Sequence, residues 1–99
     1  MRVTIQSLHF KADQKLEDFV THRLEKLTNL YESVMGSNVV LRLENVEDNN
    51  NKIAEIKLLI PGQDLFARKQ SKTFEEATDL AVEALRRQLK KHKGKIRAK

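Results

Sequence analysis

The amino-acid sequence predicts one α+β domain in which a four-stranded sheet carries two helices packed on one face. Three observations predict it: a length of 99 residues, an element order read as β-α-β-β-β-α, and an apolar side on nearly every element. A chain of this length has room for one hydrophobic core. We therefore expect a single two-layer domain over residues 1–93, followed by a flexible basic tail over residues 94–99.

The first two elements are predicted to be a strand and a helix. Val3 and Ile5 alternate with polar residues over positions 2–8, which is the period of a strand with one buried face. Asp13 is placed as the N-cap of a long helix whose apolar residues recur every three or four positions. Gly36 is predicted to end this helix, because glycine tolerates the left-handed conformation of a C-cap.

Three strands and two turns are predicted to follow. Residues 38–46 and 52–60 alternate apolar and polar side chains, and the polar stretch 47–51 between them favours a hairpin loop. A second turn is predicted over 61–64, and a weaker strand at a sheet edge over 65–71. These strands would form one antiparallel or mixed sheet.

The last element is a helix with clear signals at its start. Thr73 and Glu76 have the spacing of a capping box, in which the hydroxyl and the carboxylate each satisfy a free backbone amide. Apolar residues then recur at helical spacing and are predicted to face the core. These residues are Phe74, Ala77, Ala81, Leu85, Leu89 and Ile96.

Positive charge is concentrated at the end of the chain. Residues 86–99 contain eight Lys or Arg and no acid, whereas residues 1–85 contain 11 basic and 14 acidic side chains. The helix macrodipole favours bases at a helix C-terminus, but each gains only about 0.3–1 kcal/mol and only within the last turn. That gain is too small to offset the repulsion among eight cations. A bound polyanion explains the cluster, and a solvated tail that keeps the protein soluble is the alternative.

Helical geometry places most of these cations on the side of the last helix away from its apolar stripe. In the first half of the helix the same side carries acids, so this surface changes sign near Glu83. Phosphate groups are the usual ligands of such a surface, and two cations of the first helix are weaker candidates. The predicted RNA-binding residues are Arg86, Arg87, Lys90, Lys91, Lys93, Arg23 and Lys26.

Recognition of individual bases has little support in the sequence. Phe19, Tyr31 and Phe74 lie on predicted core sides, which leaves Phe10 and Phe66 unassigned. No stacking platform is evident, so we expect recognition of RNA shape and phosphate.

Several other classes of function are disfavoured. The chain has no cysteine, its three histidines fall in three different elements, and its three glycines are isolated. These features argue against disulfides, metal sites and phosphate-binding loops. No nucleophile or general base is evident, so we expect no enzyme activity, no cofactor and no small-molecule substrate. No secretory leader or long apolar run is visible, so we expect a cytoplasmic protein without a membrane partner.

The end of the last helix resembles the C-terminal helix of the ribosome hibernation promoting factor family, also called ribosome-associated inhibitors. The most specific segment is Leu-Arg-Arg-Gln-Leu-Lys-Lys-His-Lys-Gly-Lys, residues 85–95. Residues 16–20 and 39–44 are also similar to the family, and the predicted element order is the same. The resemblance covers essentially the whole chain. Glu75 stands where many members have a tyrosine, so no role of that tyrosine is carried over.

This resemblance implies a bacterial protein that binds the small ribosomal subunit in the channel used by messenger and transfer RNA and represses translation under stress. It implies ribosomal RNA phosphates as the ligands of Arg86, Arg87, Lys90, Lys91, Lys93 and Lys95. The length matches the short form of the family, which implies a monomer that needs another factor for any ribosome dimerisation.

Two other functions are compatible with the residues. One is a protein-interaction adaptor whose basic tail meets an acidic partner independently of RNA. The other is a small RNA-processing enzyme, which needs a general base that we do not find. Loss of partners after RNA digestion would favour RNA binding over the adaptor, and turnover of a labelled RNA would favour the enzyme.

Overall fold

The computed structural model describes residues 1–44 and 47–97, with side chains described as far as Lys93. The elements are β1 (Arg2–Leu8), α1 (Gln14–Glu25), a 3-10 turn (Lys26–Asn29), β2 (Gly36–Leu43), β3 (Lys52–Ile60), β4 (Gln63–Ser71) and α2 (Phe74–Arg97). The predicted α+β class and element order are confirmed. No helix within the described residues is long and apolar enough to cross a membrane.

The four strands form one mixed sheet in the order β1-β2-β3-β4. β1 runs parallel to β2, with Arg2 opposite Gly36, and the other two neighbouring pairs are antiparallel. A parallel pair needs a crossover connection, which α1 supplies. β3 and β4 are joined by a tight turn in which Gly62 has a φ of 86°, a conformation that costs glycine little.

Both helices bury their apolar sides in one core with one face of the sheet. The side chains of Val20 and Leu24 in α1, Leu85 in α2 and Ile56 in β3 are fully buried there. Full burial of each large apolar side chain contributes about 1.5–3 kcal/mol. The strand residues that alternate with this core set point to the opposite face. We call that face the open sheet face, and its members include Val40, Arg42, Glu55, Lys57, Phe66 and Arg68.

The start of α1 is as predicted, but its end is not. The Leu16 amide donates to the Asp13 carboxylate at 2.8 Å, which confirms the N-cap. The helix ends at Glu25, and the apolar residues that follow pack against the core without continuing it. The prediction that Gly36 ends the helix is therefore wrong. Gly36 lies in β2, where a Cβ would approach the Arg2 carbonyl oxygen to 2.9 Å, so glycine is needed for the close pairing with β1.

The remaining strands differ from the predictions only at their ends. β3 has the predicted bounds, whereas β2 begins at Gly36 and ends at Leu43. Residues 45 and 46 of the predicted second strand lie outside the described residues. β4 begins at Gln63, so the turn before it is shorter than the predicted four residues.

The second helix begins with the predicted cap. The Glu76 amide donates to the Thr73 hydroxyl at 3.1 Å, which confirms that half of the capping box. The predicted core stripe is buried at Ala77, Ala81, Leu85 and Leu89, while Phe74 is partly buried. The helix is assigned as far as Arg97. The side chain of Ile96 and residues 98–99 lie outside what the structure describes, and the flexible tail predicted over 94–99 stays a prediction.

Candidate nucleic-acid interface

The inner side of α2 determines which of its cations face solvent. Burial of the stripe that ends with Leu85 and Leu89 fixes the rotation of the helix about its axis. Arg87, Lys90 and Lys91 then lie on the far side and are all exposed. We call these three residues the outward cation surface.

The outward cation surface has no acidic partner within the part of the chain that the structure describes. The ion pairs found there involve only Arg23, Arg42, Arg68 and Arg86. The charges of Arg87, Lys90 and Lys91 are therefore available to an external anion. This is the arrangement that the sequence predicted for three of its eight candidate residues.

Two further candidates on α2 are half-buried. The Nε atom of Arg86 lies 3.6 Å from a carboxylate oxygen of Glu83, one turn earlier in the helix. Lys93 borders a shallow depression of about 300 Å³ whose other wall is the segment 29–33. The side chain of Lys95 lies outside the described residues, so its predicted role stays a prediction.

The other two candidates, Arg23 in α1 and Lys26 in the 3-10 turn, border a groove between α1 and α2. This interhelical groove has a volume of about 300 Å³ and is lined by Arg23, Lys26, Asp79, Val82, Glu83 and Arg86. Its three cations face two acids, so the acids offset most of the positive charge and leave a net charge of +1. The groove brings Arg23 and Lys26 beside Arg86, as one shared binding site requires, but it also supplies them with acidic neighbours.

The pair between Arg23 and Asp79 is the shortest ion pair in the described structure, with Nε 2.9 Å from a carboxylate oxygen. The guanidinium carbon of Arg23 also lies 4.6 Å from the centre of the Phe19 ring, within the range of a cation–π contact. The Nε atoms of Arg23 and Arg86 are shielded from solvent, yet neither makes a hydrogen bond of good geometry. The Arg23–Asp79 and Arg86–Glu83 pairs are therefore held by attraction between charges, with little directional hydrogen bonding.

His92 and its neighbours hold the C-terminal part of α2 against the sheet. Its Nδ1 lies 3.1 Å from the Gln63 amide nitrogen at the start of β4, and its ring meets Tyr31 edge-on with centres 5.5 Å apart. One turn earlier, the side-chain amide of Gln88 donates to the Phe66 carbonyl at 2.9 Å. These contacts lie beside the outward cation surface and join this part of α2 to β4 and to Tyr31.

Among the side chains that the structure describes, no three or more His, Asp or Glu residues are grouped so that they could hold a metal ion. His9 and His22 are exposed, and His92 has the contacts described above. The aromatic residues that the sequence left unassigned have different environments. Phe10 stacks on Phe74 with ring centres 4.3 Å apart, whereas 53% of Phe66 is exposed on the open sheet face.

Sequence reasoning missed two features of the surface. It did not pair Arg23 with Asp79, because the two residues lie on different helices. It also missed a cluster on the open sheet face, where Arg42, Glu55 and Arg68 come from three strands. The alternation of charged residues along β2, β3 and β4 was the available signal, but it becomes a cluster only once the strand register is known.

A small basic α+β domain with a rigid cationic helix belongs, by fold and surface, to the class of compact proteins suited to bind polyanions. Comparison with known protein families is more specific. The model of the Sigma 54 modulation protein / S30EA ribosomal protein family matches residues 3–97, and the chain belongs to this family. The resemblance seen in the sequence is confirmed.

Similar proteins support the same assignment. A ribosome hibernation promoting factor of Pseudomonas putida is 30% identical over 95 residues, which cover 96% of this chain and 89% of that one. A ribosome hibernation promotion factor of Bacillus subtilis is 28% identical over 101 residues, and the match spans 52% of its length. A ribosomal subunit interface protein from Coxiella burnetii has the same fold, with a TM-score of 0.84 at 17% identity over 95% of this chain and 99% of that one.

Proposed function

We propose that this protein is a ribosome hibernation factor that binds the small ribosomal subunit in the channel for messenger and transfer RNA. The observation that carries the proposal is the outward cation surface, Arg87, Lys90 and Lys91, which is exposed and lacks acidic partners among the described residues. The names of the relatives support the ribosome as the partner.

The physical basis of binding is the release of counterions from RNA. Each phosphate that a Lys or Arg neutralises releases condensed cations, so affinity arises without reading a base sequence. Arg86, Lys93 and Lys95 extend the contact along α2, and Arg23 and Lys26 extend it across the interhelical groove. Because the backbone of α2 is already helical, binding costs little backbone entropy, and the loss falls on the Lys and Arg side chains.

The inhibitory step in this proposal is steric. A folded domain that occupies the channel excludes messenger and transfer RNA, so translation stops without covalent chemistry. The protein acts as a monomer in the cytoplasm and needs no cofactor.

The direct test is co-sedimentation of the purified protein with small ribosomal subunits. The double variant Lys90→Glu/Lys91→Glu should lose binding while its circular dichroism and melting temperature stay unchanged, because both side chains are exposed. The matched control is Lys11→Glu/Lys15→Glu, at exposed positions near the start of α1. Each double variant lowers the formal net charge from +5 to +1, since every Lys→Glu change removes two units.

The salt dependence measures how many phosphates are contacted. If about five phosphates are neutralised, the logarithm of the association constant should fall with the logarithm of salt at a slope of roughly −4. Equal loss in both double variants would mean that net charge alone drives binding. Undiminished co-sedimentation of Lys90→Glu/Lys91→Glu would remove α2 from the interface, and partners that survive RNA digestion would favour the protein adaptor.

A further inference from the structure

The open sheet face carries an ion cluster whose charges do not cancel. One carboxylate oxygen of Glu55 lies 3.3 Å from a terminal nitrogen of Arg42, and the other lies 3.2 Å from Nε of Arg68. One negative charge on β3 thus holds two guanidinium groups, one from each of the flanking strands β2 and β4. The cluster keeps a net charge of +1 at a fixed place on a rigid sheet.

Most of the hydrogen-bonding capacity of this cluster is unused. A guanidinium has five N–H donors, and the side-chain hydrogen bonds of Arg42 and Arg68 within the described residues go only to Glu55. The two arginine side chains are 33% and 46% exposed, whereas Glu55 is 18% exposed. The carboxylate is therefore largely covered, while two partly exposed guanidinium groups keep unused donors of the kind that binds a phosphate.

An exposed aromatic ring lies beside this cluster. Phe66 is two positions before Arg68 on β4, which places the two side chains on the same face about 7 Å apart. Across the sheet, Phe66 pairs with the exposed Lys57 of β3. More than half of Phe66 is exposed to solvent. An aromatic ring between a lysine and an arginine is the combination that binds an unpaired nucleotide.

We propose that the open sheet face binds a short stretch of single-stranded RNA, with one base stacked on Phe66 and the flanking phosphates bound by Lys57 and by the Arg42–Arg68 pair. This inference rests on the proposed function, because it adds a second RNA contact to the same protein. The two contacts lie on opposite sides of the sheet. The helix α2 binds phosphates of structured RNA, and the open sheet face binds an unpaired, unstacked nucleotide. Stacking on an aromatic ring tolerates any base, so the site selects unpaired RNA and no particular sequence.

The first experiment places a fluorescent reporter at the stacking position. The chain has no tryptophan, so Phe66→Trp introduces a single one. Titration with a single-stranded RNA dodecamer of mixed sequence should quench its fluorescence, and the quenching should saturate at the RNA concentrations at which anisotropy reports binding. The control is Leu80→Trp, because Leu80 is 44% exposed in the acidic half of α2 and should not be quenched.

The second experiment separates stacking from simple apolar contact. Phe66→Tyr keeps an aromatic face and should bind the dodecamer like the unchanged protein. Phe66→Ala and Phe66→Leu should both bind about ten-fold more weakly, because leucine keeps apolar area but offers no face to a base. Arg68→Gln should make the slope of log K against log salt less steep by the amount expected for about one phosphate contact. Circular dichroism checks that these exposed substitutions leave the fold intact.

The outcomes separate this site from the helix. Quenching of Phe66→Trp should persist when Lys90→Glu/Lys91→Glu is added, although ribosome binding is then lost. The sheet site is refuted if RNA binds without quenching, or if Phe66→Leu binds RNA as tightly as the unchanged protein. A protein partner captured from nuclease-treated lysate through Phe66, with no affinity for the dodecamer, would also refute it. If quenching occurs but no variant or condition gives ribosome binding, the sheet site stands and the proposed function fails.

Discussion

Arg86 and Arg87 are neighbours in the chain, yet they lie in two regions with different electrostatics. Arg86 borders the interhelical groove, where Glu83 and Asp79 offset the cations, while Arg87 belongs to the outward cation surface, where no described acid is paired with it. The helical rotation of 100° between successive residues is enough to separate them. A count of charges along a segment therefore overstates the number that a ligand can use, and the contacts of each side chain decide which ones remain.

The largest expected difference between the two regions comes from neutralising one arginine in each. At about 0.1 M salt, Arg87→Gln should weaken binding to small subunits by about eight-fold and lower the salt slope by about 0.9, as expected for one lost phosphate contact. Arg86→Gln should weaken it by about two-fold or less, because Glu83 already offsets that charge. Filter binding at several salt concentrations measures both. Equal losses would show that Glu83 does not weaken the contribution of Arg86 to RNA binding.

A smaller effect is expected when an acid is removed from the groove. Glu83→Gln leaves Arg86 without its carboxylate neighbour, so affinity for small subunits should rise by about two-fold to three-fold. Exposed charges are screened by salt, so the gain should shrink as ionic strength increases. The control is Glu75→Gln, which removes the same charge from the start of the same helix. A similar gain in both variants would attribute the effect to net charge and erase the distinction between the regions.

The smallest effect is expected for the pair that closes the groove. Asp79→Asn should lower the free energy of unfolding by only about 0.3 kcal/mol, because the Arg23–Asp79 pair is half-exposed and its Nε lacks a well-formed hydrogen bond. Urea denaturation measures this change, with Glu25→Gln on α1 as the control. A loss above about 1 kcal/mol would mean that the pair holds the two helices together, and that the groove has a structural role beyond its charge balance.

Local signals in the sequence were sufficient for most of the fold. The bounds of β3 follow from side-chain alternation, and the start of α2 follows from its capping residue Thr73. Both signals depend only on near neighbours in the chain. The inner stripe of α2 was predictable for the same reason. The exposure of Arg87, Lys90 and Lys91 then follows, since the opposite side of a buried helix faces solvent.

The features that escaped prediction depend on contacts between distant segments. Leu27 and Val34 keep a helical spacing but pack on the core from a 3-10 turn and a connecting segment, so periodicity alone extended α1 too far. The requirement for glycine at position 36 comes from the approach of β1, which no local pattern records. The half-buried position of Glu55 between two arginines and the exposure of Phe66 become visible only with the register of β2, β3 and β4.

The parallel pairing of β1 with β2 has a consequence for how the chain assembles. It joins positions that are far apart in sequence, such as Arg2 and Gly36, whereas β3 meets β4 across a two-residue turn between Ile60 and Gln63. Closing the longer loop costs more chain entropy, and contacts of high sequence separation slow folding. During synthesis, the strand that leaves the ribosome first must therefore wait, unpaired at its inner edge, until the crossover helix and β2 have followed it.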